Sequence, residues 1–218
     1  MNNIIPTKMI PTKQKILMCA VDLFAIKGFT ETSVRDIAAA VGIKSASLYN
    51  HFSSKEEILE FMLNDFDNHT QKMFNNPDIP NVLQKNPTAD GILSCLQITF
   101  SVLSDEYYLK VLHVIFHEQH RNNIVRSYVA KTILDSEEHV VKIFNILKNL
   151  NIIRHDADPD FWKKTASSLL YIFPNRTMLG VGHGSIVFGG MDLRELLYYM
   201  FDMIIKMYGI TEKSTSSP

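Results

Sequence analysis

The stretch from Thr32 to Lys55 constrains the fold of this chain more than any other part of it. Ser33 and Asp36 stand three residues apart, which is the spacing of a helix N-cap and its reciprocal partner, and they predict a helix over Val34–Val41. Gly42 follows as a residue that tolerates positive φ, so that a second helix can begin within about four residues. The pattern predicts a helix-turn-helix.

The second helix of this pair is predicted over Ala46–His51, with Ser45 as its N-cap. Its spacing turns Leu48 and Phe52 inward. The side chains left outside supply donors, acceptors and one aromatic ring, a surface suited to a polyanion: Ser45, Ser47, Tyr49, Asn50 and His51.

The segment resembles the TetR family of bacterial transcriptional regulators, whose signature is a set of aromatic, glycine and hydroxyl residues at fixed spacing. The matching residues are Phe24, Ala25, Gly28, Phe29, Thr32, Ile37, Ala38, Gly42, Leu48, Tyr49, His51, Phe52, Lys55 and Leu59. This resemblance covers about the first quarter of the 218 residues. It implies an all-α protein with a three-helix DNA-binding head over residues 1–55 and a larger helical ligand-binding and dimerisation domain over residues 56–218.

The resemblance also implies which residues contact DNA. Lys55 resembles the phosphate-anchoring lysine of the family, and Tyr49 and His51 resemble its phosphate and sugar contacts. Base reading is expected from a separate group, in which Arg35 could reach a guanine. Two alternatives stay open, because Arg35 could pair with a carboxylate and Asn50 could be solvated only. The expected base readers are Arg35, Lys44, Ser45, Ser47 and Asn50.

Basic side chains are in excess in the predicted head, and acidic side chains are in excess in the rest of the chain. Residues 1–55 hold seven basic and three acidic side chains, whereas the remainder holds 15 basic and 20 acidic ones. A basic head on an acidic body directs a polyanion to the head. A net charge of this size is also compatible with ordinary scatter.

Helical periodicity continues through most of the chain. A first helix is predicted over Lys13–Lys27 with Thr12 as its cap, and a long connecting helix follows Ser54. Prolines and asparagines predict a loop over Asn75–Asp90. The later helices are predicted over 91–103, 105–121, 122–149, 161–173 and 192–208, without a convincing strand.

The last two predicted helices are apolar over more of their circumference than one core contact requires. In the family these helices pair with their copies across a two-fold axis, and the resemblance implies a homodimer here. The alternative is that both are central helices of a monomer. The expected interface residues are Trp162, Leu169, Phe173, Leu193, Leu197, Phe201 and Ile204.

The family also implies a small-molecule effector, although the sequence does not identify it. Aromatic, methionine and a few polar side chains line pockets of this kind. The connecting helix links such a pocket to the head, and His69 continues its apolar stripe. The expected lining residues are Met62, Phe66, His69, Cys95, Phe100, Tyr108, Trp162 and Tyr171.

No catalytic residue, cofactor or metal ligand is predicted. His113, His117 and His120 have a spacing that could hold a metal, but charged neighbours indicate an ordinary solvated face. The glycine-rich stretch over 180–190 lacks the lysine and the preceding strand of a phosphate loop. Two distant cysteines suggest neither a disulfide frame nor a zinc site.

The sequence therefore predicts a cytoplasmic, non-enzymatic repressor that binds a near-palindromic operator as a homodimer and is released by a small molecule. No apolar run reaches the roughly 18 residues of a membrane span. Two alternatives remain: a TetR-fold activator or ligand-independent DNA-bound factor that acts through a protein partner, and a helical small-molecule-binding protein or enzyme with a vestigial head.

Overall fold

The computed structural model describes residues 11–74, 77–95, 105–165, 167–168, 187–188 and 191–210. Within these residues the predicted all-α fold is confirmed, apart from one antiparallel pair of two-residue strands. The helices are α1 (Thr12–Lys27), α2 (Val34–Val41), α3 (Ser45–Tyr49), α4 (Lys55–Phe74), α5 (Ile79–Lys85), α6 (Ala89–Cys95), α7 (Glu106–Glu118), α8 (Asn123–Asn149) and α9 (Leu193–Tyr208). The strands are β1 (Val187–Phe188) and β2 (Met191–Asp192), and residues 160–165 are also helical.

The chain forms two compact units. The first comprises Met1–Thr70 and Val102–Val129, and the second comprises Gln71–Ser101 and Ala130–Pro218. These units are defined by packing. The predicted division into residues 1–55 and 56–218 concerns function, and it stays a prediction.

The core of the first unit is built from apolar residues that recur at helical spacing. In α1, Ile16, Ala20 and Phe24 are buried, as the periodicity predicts. They pack in one cluster with residues of α2, α3, α4 and α7. The predicted Thr12 cap is wrong, because α1 already includes Thr12 and its N-cap position is Pro11, with no side-chain cap bond.

The core of the second unit contains helices that the sequence does not predict. The predicted loop over Asn75–Asp90 is wrong, since α5 and the start of α6 lie within it. Pro80 is compatible with α5 because it lies in the first turn, where its missing N–H costs no helical bond. Ile79 and Leu83, four residues apart, bury one face of this short helix.

The second unit also joins the end of α8 to the end of α9. Arg154 N–H donates to the Tyr208 carbonyl at 2.8 Å, and Ile210 N–H donates to the Ile152 carbonyl at 3.2 Å. The segment before residue 160 is otherwise irregular, as the gap between the helices predicted over 122–149 and 161–173 indicates.

The two cysteines are free thiols in different surroundings. Cys19 is half-buried on α1, and Cys95 is buried in the second unit. Burial raises the pKa of both thiols, and the carboxylate of Asp22 raises the pKa of Cys19 further. None of the described helices is long and apolar enough to cross a bilayer.

Candidate nucleic-acid interface

The start of α2 is fixed by a reciprocal pair of side-chain hydrogen bonds. Asp36 N–H donates to Ser33 Oγ at 3.1 Å, and Ser33 N–H donates to Asp36 Oδ2 at 2.9 Å. These bonds from Ser33 lower the pKa of Asp36. The predicted capping box is confirmed, and it satisfies two of the backbone donors that a helix start leaves unpaired.

Gly42 ends α2 in the left-handed conformation that the sequence predicts, with φ 79° and ψ 31°. Its N–H and that of Ile43 donate to carbonyls of the last turn of α2. A Cβ at this position would meet no atom within 4 Å, so the need for glycine comes from the backbone angle alone.

The short helix α3 is anchored by one buried residue. Leu48 has no exposed surface, and Phe52 just beyond the helix is 1% exposed. The predicted Ser45 cap is wrong, because α3 begins at Ser45 and the N-cap position is Lys44, without a side-chain bond.

The predicted DNA-contacting side chains surround this anchor. Tyr49 is 53% exposed, and Arg35, Lys44, Ser47 and Asn50 are also exposed. Ser45, His51 and Lys55 are half-buried. The turn therefore brings all eight to the α2–α3 region and the start of α4, with most of the polar groups open to a partner.

The exit from α3 is held by hydroxyl groups at the start of α4. Ser53 N–H and Oγ donate to Glu57 Oε2 at 2.5 and 2.6 Å, and Glu57 N–H donates to Ser54 Oγ at 3.0 Å. The bonds from Ser53 lower the pKa of Glu57. The orientation of Lys55, the first residue of α4, is thus set locally.

Lys55 makes its contacts within the protein. Its Nζ donates to the carbonyls of Phe29 at 2.6 Å, Thr32 at 2.8 Å and Thr30 at 3.4 Å. It also lies 4.2 Å from the centre of the Phe29 ring. Since an ammonium has three N–H donors, these carbonyls use its full capacity. The predicted phosphate contact of Lys55 stays a prediction.

Two residues of the head region have contacts that the sequence does not reveal. Lys13 Nζ lies over the rings of Phe61 and Phe52, at 4.4 and 4.9 Å from their centres. Glu118 accepts a hydrogen bond from Phe29 N–H at 3.0 Å across 89 residues of sequence. Spacing patterns within one helix cannot predict these contacts, because the partners are far apart in the sequence.

The predicted effector residues fall in two separate cores. Met62 and Phe66 are buried in the first unit, where His69 Nδ1 lies 2.9 Å from the hydroxyl of Tyr108. Cys95 and Trp162 are buried in the core of the second unit. The structure does not bring these two groups together within one unit. Phe100 and Tyr171 lie outside the described residues.

A cavity of about 510 Å³ opens in the first unit. Among the predicted effector residues only Tyr108 lines it. The Tyr107 hydroxyl is buried near the Asp65 carboxylate, and burial together with this carboxylate raises the pKa of Tyr107. The lining residues are Pro11, Lys13, Gln14, Leu17, Met18, Phe61, Asp65, Asp105, Tyr107 and Tyr108.

Three of the seven predicted dimer residues are buried in the single chain, and the role of all seven at an interface stays a prediction. Trp162, Phe201 and Ile204 are 2%, 7% and 1% exposed in the single chain, so they have almost no surface left for a partner. Leu197 is half-buried against the same core. Leu169, Phe173 and the side chain of Leu193 lie outside the described residues.

The histidines of α7 form a pair, without a metal cluster. The rings of His113 and His117 lie 4.3 Å apart. Burial and the neighbouring His117 lower the pKa of His113. Among the described residues, no group of three or more potential ligands could hold a metal ion.

Comparisons with known proteins agree with this geometry. Residues 16–62 match the family model described as bacterial regulatory proteins, tetR family. The transcriptional repressor KstR2 of Mycolicibacterium smegmatis is 44% identical over 61 residues, or 28% of this chain and 30% of the relative. The negative transcriptional regulator IcaR of Staphylococcus aureus is 52% identical over 48 residues, or 22% of this chain and 26% of the relative.

The chain thus spans less than a third of the length of these relatives. A solved SmeT–triclosan complex extends the likeness to the whole fold, with a TM-score of 0.65 at 16% identity over 95% of this chain and 98% of that one. At that identity the likeness concerns the fold alone. Residues 16–62, where the helix-turn-helix is confirmed, thus match the DNA-binding head of the tetR family of bacterial regulatory proteins.

Proposed function

We propose that the chain is a transcriptional repressor that binds a near-palindromic operator as a homodimer and is released by a small-molecule effector. The observation that carries this proposal is α3, which is anchored by the buried Leu48 and leaves the side chain of Tyr49 and its polar neighbours open. Repression is supported by the similarity of the head to KstR2, a transcriptional repressor, and to IcaR, a negative regulator.

The contacts with DNA divide into two kinds. Tyr49 and His51 approach the sugar-phosphate backbone, which positions the head without reading sequence. Arg35, Lys44, Ser45, Ser47 and Asn50 read base edges in the major groove. Exposure supports this division for Arg35, Lys44, Ser47 and Asn50. Lys55 stabilises the turn before α2 through its three carbonyl contacts.

Dimerisation uses the outer face of α9. Tyr199, Met203 and Met207 recur every four residues and are 49%, 49% and 59% exposed. They form an apolar stripe beside the face of the helix that carries the buried Phe201 and Ile204. A second copy would cover this stripe and supply the second head that two half-sites require.

The effector site has its strongest support in the cavity of the first unit. Tyr108 joins this cavity to His69 through the hydrogen bond between their side chains. The solved complex of SmeT with triclosan provides a precedent for a small molecule in a protein of this fold. The repressor acts in the cytoplasm, where both its operator and metabolites reach it.

In vitro selection from random duplex DNA tests the proposal. The full chain should enrich a near-palindromic site and bind it as two protomers per duplex, measured by fluorescence anisotropy and light scattering. Tyr49→Ala combined with Asn50→Ala is the matched loss-of-binding variant, because both side chains are exposed. Failure to enrich any site, or equal binding by this variant, would contradict the proposal.

A further inference from the structure

The backbone on both sides of Phe29 is held by charged side chains from other helices. Phe29 follows Gly28, which ends α1, and leads into the turn before α2. Its N–H donates to Glu118 Oε1 at 3.0 Å, and its carbonyl accepts from Lys55 Nζ at 2.6 Å. The turn is therefore fixed from α7 on one side and from α4 on the other.

Glu118 is buried for a carboxylate, since it is 5% exposed. A group of this kind is costly to bury unless it accepts hydrogen bonds. The bond from Phe29 N–H meets that need. Glycine at position 28 is favoured by its φ of 86°, since a Cβ there would stand at an ordinary contact distance of 3.5 Å from Glu118 Oε1. The contact is a specific joint between the end of α7 and the end of α1.

The turn itself is closed by further bonds. The Thr32 hydroxyl donates to the Gly28 carbonyl at 2.8 Å, and Thr32 is 1% exposed. The next residue, Ser33, is the N-cap of α2. A shift of Phe29 therefore passes through a short, bonded segment directly to the first helix of the helix-turn-helix.

The joint is one of two polar contacts that, among the described residues, connect α7 to α1 and to the residues just after it. Lys110 Nζ bonds Asp22 Oδ1 at 2.8 Å, eight residues before Glu118 on α7. Partner numbers rise together along both helices, which shows that α1 and α7 run in the same direction. Tyr108, at the cavity, precedes Glu118 on α7 by about 15 Å at 1.5 Å per residue.

We propose that Glu118 is a positioning residue for operator binding: it transmits the placement of α7 to the turn before α2, while Lys55 holds the same turn from α4. The inference rests on the proposed DNA-binding function. It gives the cavity beside Tyr108 a physical route to the DNA-reading helices that runs through α7 and Phe29.

The test compares Glu118→Ala with Glu118→Gln in the full chain. Alanine leaves Phe29 N–H without its acceptor, whereas the glutamine carbonyl can still accept from it. Glu118→Ala should weaken binding to the selected operator by about tenfold, whereas Glu118→Gln should stay within about threefold. Lys110→Ala is the matched control, because it removes an exposed contact between the same two helices.

Amide hydrogen exchange gives a readout independent of DNA. Exchange at Phe29 should accelerate in Glu118→Ala, and stay near the wild-type rate in Glu118→Gln and Lys110→Ala. If Glu118→Ala does not fold, Glu118→Asp replaces it, since the shorter side chain withdraws the same acceptor.

Unchanged operator affinity together with fast Phe29 exchange would overturn the positioning role, as would equal losses in the alanine and glutamine variants. Wild-type protein that binds no selected DNA would instead refute the proposed function. In that case unchanged exchange at Phe29 in the alanine variant would also refute the joint itself.

Discussion

The helix α2 of the first unit and the helix α5 of the second begin by different means. In the first unit, α2 starts with the Ser33–Asp36 box and ends at a left-handed glycine. In the second unit, Asp78 occupies the N-cap position of α5 without a side-chain bond, and the buried Ile79 and Leu83 hold the helix. Local hydrogen bonds therefore define the bounds of α2, whereas tertiary burial holds α5.

The largest expected effect tests this contrast within α9. Phe201→Glu should destabilise the second unit by roughly 3–5 kcal/mol, because it buries an unpaired charge in the core. Met203→Glu, two residues away and 49% exposed, should leave the free energy of unfolding within about 0.5 kcal/mol of wild type.

Light scattering then separates core from interface for these variants. Met203→Glu should give folded monomers at micromolar concentration if the outer stripe forms the dimer. A stable dimer of Met203→Glu would show that the stripe is not part of the interface. A monomeric wild-type protein would refute the homodimer.

The neighbours Leu48 and Tyr49 sharpen the same contrast in the head. Leu48→Ala should lower the free energy of unfolding by about 2–5 kcal/mol, since it leaves a cavity where the buried Leu48 side chain anchors α3. Tyr49→Ala should change stability little and reduce operator affinity. Urea unfolding and anisotropy measure both, and a similar stability loss in both variants would contradict the anchor assignment.

Lys55→Ala tests whether the lysine serves the turn or the DNA. Loss of its three carbonyl contacts should cost about 1–3 kcal/mol of stability. The slope of log affinity against log salt should not change, because a donor engaged within the protein releases no counterions from DNA. A decrease of about 1 in the magnitude of this salt slope would instead support the phosphate contact that the family resemblance implies.

The smallest expected effect concerns the capping box. Asp36→Asn should lower stability slightly at neutral pH, because the amide carries no charge to interact with the N-terminus of α2. Because Ser33 lowers the pKa of Asp36 from its ordinary 3.8, the contribution of the carboxylate is present above that value and is lost as the pH falls through the lowered pKa. Unfolding free energies of the two proteins should converge in acid, and a gap that persists at about pH 2 would contradict this account.

These differences explain how far the sequence predicts the molecule. The bounds of α2, the conformation of Gly42 and the burial of Leu48 follow from spacing of a few residues. The sequence of the proline-rich segment does not predict α5, because the stabilising contacts of Ile79 and Leu83 come from distant parts of the chain.

The candidate site divides in the same way. Exposure of Tyr49 and Arg35 is predictable from helical periodicity. The bond between Glu118 and Phe29 is not, because 89 residues separate the partners. The apolar width of α9 predicts a second contact, although it does not reveal that Phe201 faces the core and Met203 the outside.

The two raised cysteine pKa values have a practical consequence for labelling. Cys19 and Cys95 stay protonated near neutral pH, so their thiols react slowly with maleimide dyes. A cysteine introduced at an exposed position, such as Arg35→Cys, would react first. One fluorophore per head would then report the separation of the two heads in a dimer directly, before and after a candidate effector is added, without replacing either native cysteine.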